Sequence, residues 1–400
     1  MAATRANIIF SENVRKLQPS ATIAVSTLAK ELRAAGRDII NLSAGEPDFP
    51  TPGFISKAGI AAIERGATRY TPAAGTPELR ATVARYLARE RNPELDPSGV
   101  VVTAGAKQAL FNALFTLAGP GDRVLVPTPY WTTYPELVRL ARAEPVFLSG
   151  PESRGYKVGP AELEEAWDPS VRVLLMNSPS NPSGAVYSMA ELEAVARWAA
   201  DHEVWIVSDE IYGRLWYEGD VAPGMLDMDP ALAEHAVVVN GASKTFAMTG
   251  WRIGFSYSVA PLASKMAALQ SHMTSNASTP GQHAVLAALN PTAEERAELE
   301  AMVAAFHTRR DLVVSLLTEL MPDAAFIRPE GAFYLFFRVD HHYDDEHAGS
   351  VALCQHLIQE AGVALVPGEA FGDDHYVRLS FAASDQDLEN GLRRVAELLT

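Results

Sequence analysis

The 400-residue chain carries 33 Lys and Arg against 49 Asp and Glu, a formal net charge of −16, and 48% of its residues are apolar. That balance excludes nucleic acid and anionic membrane surfaces as general partners, because either needs a basic face, and any anionic ligand must be met by a local cluster of cations. The length exceeds what one hydrophobic core usually organises, so two domains sharing a cleft are expected. A single cysteine, Cys354, excludes an intramolecular disulfide and suits a reducing compartment. No run approaches the ~20 apolar residues of a membrane span, and the Met1-Ala-Ala-Thr-Arg-Ala-Asn terminus has no signal-peptide pattern. The expectation is a soluble, cytoplasmic protein.

In chain order, residues 54–65 and 78–89 read as amphipathic helices joined by the Gly- and Pro-rich loop 70–77, which opens with Tyr70-Thr-Pro-Ala-Ala-Gly75. From about residue 98 to residue 259, short apolar runs alternate with helix-period segments, which predicts βα units and a mostly parallel sheet. Strands are expected at residues 100–103, 123–126, 144–147, 171–176, 204–208, 236–240 and 253–259, with helices near 107–117, 130–141 and 189–202. Such a sheet offers its polar side chains at the carboxyl ends of its strands, where function should lie. After Ala260 come long helices at 262–287 and 292–320, the second bounded by Pro291 and Pro322. Strands at 331–339, 363–365 and 376–381 and helices at 350–361 and 385–398 then predict a smaller α+β domain. Cys354 falls at a helical period and reads as a packed structural thiol. The run His341-His-Tyr-Asp-Asp-Glu-His347 has ligand-type residues, but a solvated loop between strand and helix accounts for it, and no metal site is expected.

The chemistry concentrates in Gly241-Ala-Ser-Lys-Thr-Phe-Ala-Met-Thr-Gly-Trp-Arg-Ile-Gly254, which sets Lys244 beside a hydroxyl and eight residues before an arginine. Upstream, the apolar strand Val204-Trp-Ile-Val-Ser ends in Asp209 and Tyr212. A lysine, a carboxylate, a tyrosine and an arginine together suit Schiff-base catalysis with pyridoxal 5′-phosphate (PLP). Lys244 would condense with the cofactor aldehyde and, once displaced by substrate, move a proton. Asp209 would pair with the pyridine nitrogen and Tyr212 with the ring's phenolic oxygen, while Ser243 and Arg252 would hold the phosphate. The turn Val102-Thr-Ala-Gly-Ala-Lys-Gln-Ala-Leu110 leads from a strand into a helix, so Gly105 and Ala106 would cradle the same phosphate with backbone N–H groups.

Ala44-Gly-Glu-Pro-Asp-Phe49, the Tyr70 loop, Pro129-Tyr-Trp131, Asn177-Ser-Pro-Ser-Asn-Pro-Ser-Gly184, Ser208-Asp-Glu-Ile-Tyr212, the Lys244 block and Val377-Arg-Leu-Ser380 follow one another in order. In this series the chain resembles a class I aminotransferase of the fold-type I PLP enzymes over nearly its full length. The resemblance implies a large PLP-binding domain at residues 51–289 with a mostly parallel seven-stranded sheet. It implies a small carboxyl-terminal domain at 290–400 that is joined by the amino-terminal segment 1–50. It further implies that Trp131 stacks on the pyridine ring, that Asn181 reaches the phenolic oxygen and the substrate, and that Arg378 grips the substrate α-carboxylate close to Gly45. Tyr70 resembles a tyrosine that crosses to the phosphate of a neighbouring subunit, so a homodimer with shared active sites is implied.

Specificity must come from residues that touch the substrate side chain. In one subgroup of aspartate aminotransferases, the residues matching Lys107 and Thr22 of Lys16-Leu-Gln-Pro-Ser-Ala-Thr-Ile-Ala24 help recognise the distal carboxylate, and Lys107 also borders the cofactor phosphate. This similarity implies ping-pong transfer of the amino group of aspartate to 2-oxoglutarate, giving oxaloacetate and glutamate. The alternatives are a preference for aromatic amino acids, prephenate or alanine, or a PLP-dependent β-lyase of the same fold. A non-catalytic PLP-binding regulatory domain is disfavoured, because no basic helix-turn-helix segment is appended.

Overall fold

The structure is a computed structural model that describes residues 9–15, 17, 19 and 21–399. Twelve strands run in chain order among the described residues: β1 (Ile40–Asn41), β2 (Val100–Thr103), β3 (Arg123–Thr128), β4 (Glu144–Ser149), β5 (Val171–Asn177), β6 (Trp205–Asp209), β7 (Ala236–Gly241), β8 (Gly254–Tyr257), β9 (Tyr334–Arg338), β10 (Val363–Ala364), β11 (Val366–Pro367) and β12 (Tyr376–Ser380). The main sheet has seven strands in the order β2-β8-β7-β6-β5-β3-β4. Only β8 is antiparallel, to both of its neighbours, so the expected α/β class and mostly parallel sheet are observed.

Both faces of the sheet are covered, which is why its strands read as continuous apolar runs. One face packs Val100, Leu125, Leu174, Ile206 and Val238 under the helices Gly53–Glu64, Pro77–Leu87 and Met189–Asp201. The other packs Val101, Val124, Val173, Val207 and Val237 under Ala106–Leu117, Tyr134–Leu140 and Ala260–Met273. Helix starts are marked by side-chain caps: Thr76 accepts from the Leu79 N–H, and Ser188 with Glu191 and Thr292 with Glu295 form reciprocal capping boxes. Each cap stabilises its helix by about 1 kcal/mol.

A second core gathers Ile40 and Leu42 with residues of the helices Ala293–Leu320 and Asp385–Leu399 and of β9 and β12. Two small sheets serve this body: β1 pairs with β10 in parallel, and β12 lies between β11 and β9, antiparallel to both. Ile211, Tyr212 and Leu215, which follow β6, also pack into this second core and tie the end of the main sheet to it.

The expected helix at 262–287 is two helices, Ala260–Met273 and Thr279–Ala288. Ser275 takes a left-handed φ of 63°, Ser278 caps the next helix, and Pro280 stands in its first turn, where its missing N–H costs nothing. The expected strand at 363–365 ends at Ala364 as β10, and after Leu365 a further strand that was not expected, β11, pairs with a different partner. The helix Ala21–Ala34 has no counterpart among the elements read from the sequence. Cys354 is buried at 6% exposure, and burial raises its thiol pKa. No helix among the described residues is long and apolar enough to cross a membrane. In the histidine-rich loop, His347 is engaged by Asp344 through its backbone N–H and its ring.

Candidate active site

The carboxyl ends of β5, β6 and β7 meet the amino end of β8. Asn177 at the end of β5 stands opposite Asp209 at the end of β6, and its Nδ2 donates to the Asp209 carbonyl at 2.9 Å. After β7 the chain makes one helical turn, Ala242–Thr245, which presents Ser243 and Lys244. Close backbone approach holds these segments together. A Cβ on Gly254 would lie 2.3 Å from the Ala106 nitrogen, and Gly105 takes a φ of 87°, a backbone conformation that residues with a Cβ rarely adopt.

A cavity of about 470 Å³ opens at these strand ends. Asp209, 3% exposed, lines it and accepts from the Tyr134 hydroxyl at 2.8 Å and the Ile211 N–H at 3.2 Å. Burial lifts its pKa from 3.8 to about 6, opposed by those two hydrogen bonds and the charge of Lys244. Such a carboxylate favours a cationic partner brought by a ligand. Lys244 Nζ donates to the Gly45 carbonyl and lies 5.7 Å from the Phe333 ring centroid and 6.0 Å from that of Tyr212. Burial lowers its pKa from 10.5 to about 8; Glu46 and Asp209 counter that shift, while Arg378 and Arg252 add to it. A sizeable neutral fraction near pH 8 makes this amine a competent nucleophile and proton carrier.

Arg378 forms the opposite wall. It is 1% exposed, and its Nη1 donates to Asn181 Oδ1 at 2.9 Å and its Nη2 to the Ser43 carbonyl at 2.9 Å. The guanidinium lies 4.3 Å from the Tyr334 ring centroid, and the Tyr334 hydroxyl pairs with that of Tyr212 at 2.9 Å. Among the described residues no carboxylate stands within ion-pair distance of Arg378, and its Nε is buried without an acceptor. A buried cation without an internal anion is suited to bidentate capture of a carboxylate from outside.

An anion-binding corner completes the cavity. Ala106 and Lys107 are the first residues of their helix, so their N–H groups have no carbonyl one turn back within it. Ser243 and Arg252 line the same space, and Arg252 spends one donor on the Thr249 carbonyl at 3.0 Å, with no carboxylate partner among the described residues. These donors fit a phosphate monoester. Trp131 stands edge-on to Tyr134 at 5.4 Å, and Lys107 Nζ lies 5.0 Å from its ring centroid. Partial burial of the Lys107 ammonium, and then the Arg252 charge, lower its pKa. Thr22 on the helix Ala21–Ala34 also lines the cavity, with its Oγ1 buried and unpartnered.

The fold therefore brings Thr22, Gly45, Ala106, Lys107, Trp131, Asn181, Asp209, Tyr212, Ser243, Lys244, Arg252 and Arg378 to one cavity, with Gly105 directly behind Ala106. Tyr70 stands apart, 87% exposed, in a surface depression with Arg69 and residues 276–279. Lys16, Gln18 and Ser20 of the amino-terminal motif lie outside the described residues. Sequence reading missed Tyr134, Asn177, Tyr334 and Lys30. Tyr134 follows Trp131 at helical spacing and Asn177 opens a quoted motif, so both had a signal; Tyr334 and Lys30 had none beyond their period.

The sequence matches the family Aminotransferase class I and II over residues 37–395. The chain belongs to that family. This aminotransferase is 44% identical to an aspartate aminotransferase of Streptomyces avermitilis, over 98% of this chain and 96% of the relative. It is 42% identical to an aspartate/prephenate aminotransferase of Thermus thermophilus, over 97% of this chain and 98% of that one. Among solved structures, Thermus thermophilus aspartate aminotransferase with maleate superposes at a TM-score of 0.92 and 40% identity, covering 98% of this chain and all (100%) of that one. The aspartate aminotransferase of Rhizobium meliloti does so at 0.90 and 36% identity, covering 98% of each chain. The aminotransferase fold is thus the fold-type I architecture expected from the motifs.

Proposed function

We propose that this aminotransferase uses PLP to move the amino group of aspartate to 2-oxoglutarate, giving oxaloacetate and glutamate in two half-reactions. The observation that carries the reading is one cavity that holds Lys244, Asp209 and Arg378, with both cations unpaired to any carboxylate among the described residues. When bound, PLP supplies an aldehyde that captures the substrate amine and a ring that draws electrons from the substrate α-carbon. Asp209 would hold the proton at the ring nitrogen, Tyr212 and Asn181 would donate to the phenolic oxygen, and Trp131 would cover the ring face. Ala106, Lys107, Ser243 and Arg252 would hold the phosphate.

Arg378 receives the α-carboxylate by a planar pair of N–H donors and so fixes the α-C–H bond relative to Lys244. Lys244 Nζ, neutral in part near pH 8, would take and carry the α-proton of the substrate. Lys107 and Thr22 meet the distal carboxylate. The neighbour that carries maleate, a four-carbon dicarboxylate, supports that assignment. Relatives named aspartate/prephenate aminotransferase favour prephenate as a second amino acceptor. The large exposed ring of Tyr70 supports a homodimer in which it reaches the neighbouring subunit, and a cytoplasmic location accords with the lone free thiol.

The test is the visible absorption of the purified, PLP-loaded protein during single additions of aspartate, glutamate, phenylalanine and alanine without an oxo acid. Loss of the bound-aldehyde band at the lowest concentration of aspartate is the expected result. Persistence of the band with aspartate and loss with phenylalanine or alanine would overturn the substrate; failure to take up PLP would overturn the whole reading.

A further inference from the structure

The cavity holds more cations than the proposed function employs. Arg378, Lys244, Arg252 and Lys107 each have a task, whereas Lys30, which lines the same cavity, has none. Lys30 lies on the helix Ala21–Ala34 in one row with Thr22 and Ser26, and all three line the cavity. A spacing of four residues repeats one face of a helix, so the row runs about 12 Å from Thr22 to Lys30. Lys30 is exposed and so stands at the rim. Among the described residues no carboxylate lies within ion-pair distance of it, and Glu46, an acidic residue of the same cavity, is engaged by the Thr249 hydroxyl at 2.8 Å.

An unpaired rim cation has a definite effect on a chain of formal charge −16. The average field of such a protein repels a substrate with two carboxylates, and a cation beside a low-dielectric cleft reverses that field locally. We propose that Lys30 is a specificity residue whose charge favours entry of amino and 2-oxo dicarboxylic acids over substrates with one carboxylate. This rests on the dicarboxylate reading of the cavity given above. Because Lys30 is exposed, its contribution is modest and screened by salt.

The experiment compares the PLP-loaded wild type with Lys30→Met and Lys30→Arg, using aspartate and alanine as donors at low and high ionic strength. Lys30→Met should lower kcat/KM for aspartate about three- to fivefold, mainly through KM, and change alanine less than twofold. The deficit should shrink at high salt, and Lys30→Arg should restore aspartate, outcomes that a loss of helix packing would not produce. If the wild type prefers aspartate and Lys30→Met keeps that preference undiminished, this inference alone falls. If the wild type turns over alanine but no dicarboxylic donor, the proposed substrate falls and the inference with it.

Discussion

Two arginines in different regions are buried almost equally, Arg378 on β12 at 1% exposure and Arg310 in the helix Ala293–Leu320 at 2%. The Nε of each lacks a hydrogen bond of good geometry, so hydrogen bonding at that atom does not separate them. Charge balance does. Arg310 Nε lies 2.7 Å from Asp311 Oδ1, its Nη1 donates to the Pro329 carbonyl at 2.9 Å, and its guanidinium faces the Tyr217 ring at 5.1 Å. Arg378 has neutral acceptors and aromatic faces but no carboxylate among the described residues. A buried charge left without its counter-charge costs several kcal/mol. The fold balances Arg310 from within and leaves Arg378 without a counter-charge, a contrast that supports the proposed capture of a substrate carboxylate by Arg378.

The most severe test of the cavity is removal of its amine. Lys244→Ala should lower kcat for transamination by about 10⁴-fold or more, since both the nucleophile and the proton carrier are lost. Dicarboxylate binding, read by calorimetry, should persist, because Arg378 remains. Normal turnover by this variant would remove the cavity from the reaction and the comparison with it. Arg378→Ala should then lower kcat/KM by about 10²–10³-fold with little net change of thermal stability in the cofactor-free protein, because relief of an unbalanced buried charge offsets the unpairing of Asn181 Oδ1 and the Ser43 carbonyl. A melting temperature that falls as far as activity would make Arg378 structural after all.

Arg310→Met should show the reverse. It should destabilise the protein by roughly 2–3 kcal/mol in urea denaturation, leaving the Pro329 carbonyl unpaired, with kcat/KM nearly intact. Asp209→Asn extends the contrast to an unbalanced anion. Its folded pKa, about 6, lies above the ordinary 3.8, so the folded state binds the proton more tightly and ionising Asp209 costs stability. In the cofactor-free protein Asn should therefore stabilise by roughly 3 kcal/mol above pH 6, a gain that fades as pH falls from 6 towards 3.8. Denaturation at pH 5 and pH 8 checks the sign. A smaller effect, still above that of Lys30→Met, belongs to Lys107→Ala, which should weaken aspartate about five- to tenfold more than alanine in steady-state kinetics. Equal losses for both donors would deny it the distal carboxylate.

The frame was legible where its signals are local. β2 runs over the residues read as a strand, and the remaining main-sheet strands differ from the reading only by residues at their ends, because a strand covered on both faces is a continuous apolar run. The Lys244 block and the Asp209 strand end were legible because their polar residues interrupt apolar runs in short order. The division of 262–287 was missed because both halves share a helical period, and the break depends on Ser275, Ser278 and Pro280 acting together. The helix Ala21–Ala34 was missed as an element, and with it the row that carries Lys30, because among its described side chains only Ala29 is fully buried, in a small cluster with Ile39, Ile358 and Ala364 that the fold brings from elsewhere in the chain.

By itself the sequence determined the α/β frame, the chemical set of lysine, aspartate, tyrosine and arginine, and the family to which they belong. Only the tertiary structure decided which of these groups are left unbalanced. Arg378 meets Asn181 across 197 residues and the Ser43 carbonyl across 335, Lys244 meets the Gly45 carbonyl across 199, and Tyr134 meets Asp209 across 75. Periodicity and motif spacing act over a few turns of chain, whereas the charge state and hydrogen-bond balance of a buried group are set by whatever the fold packs against it.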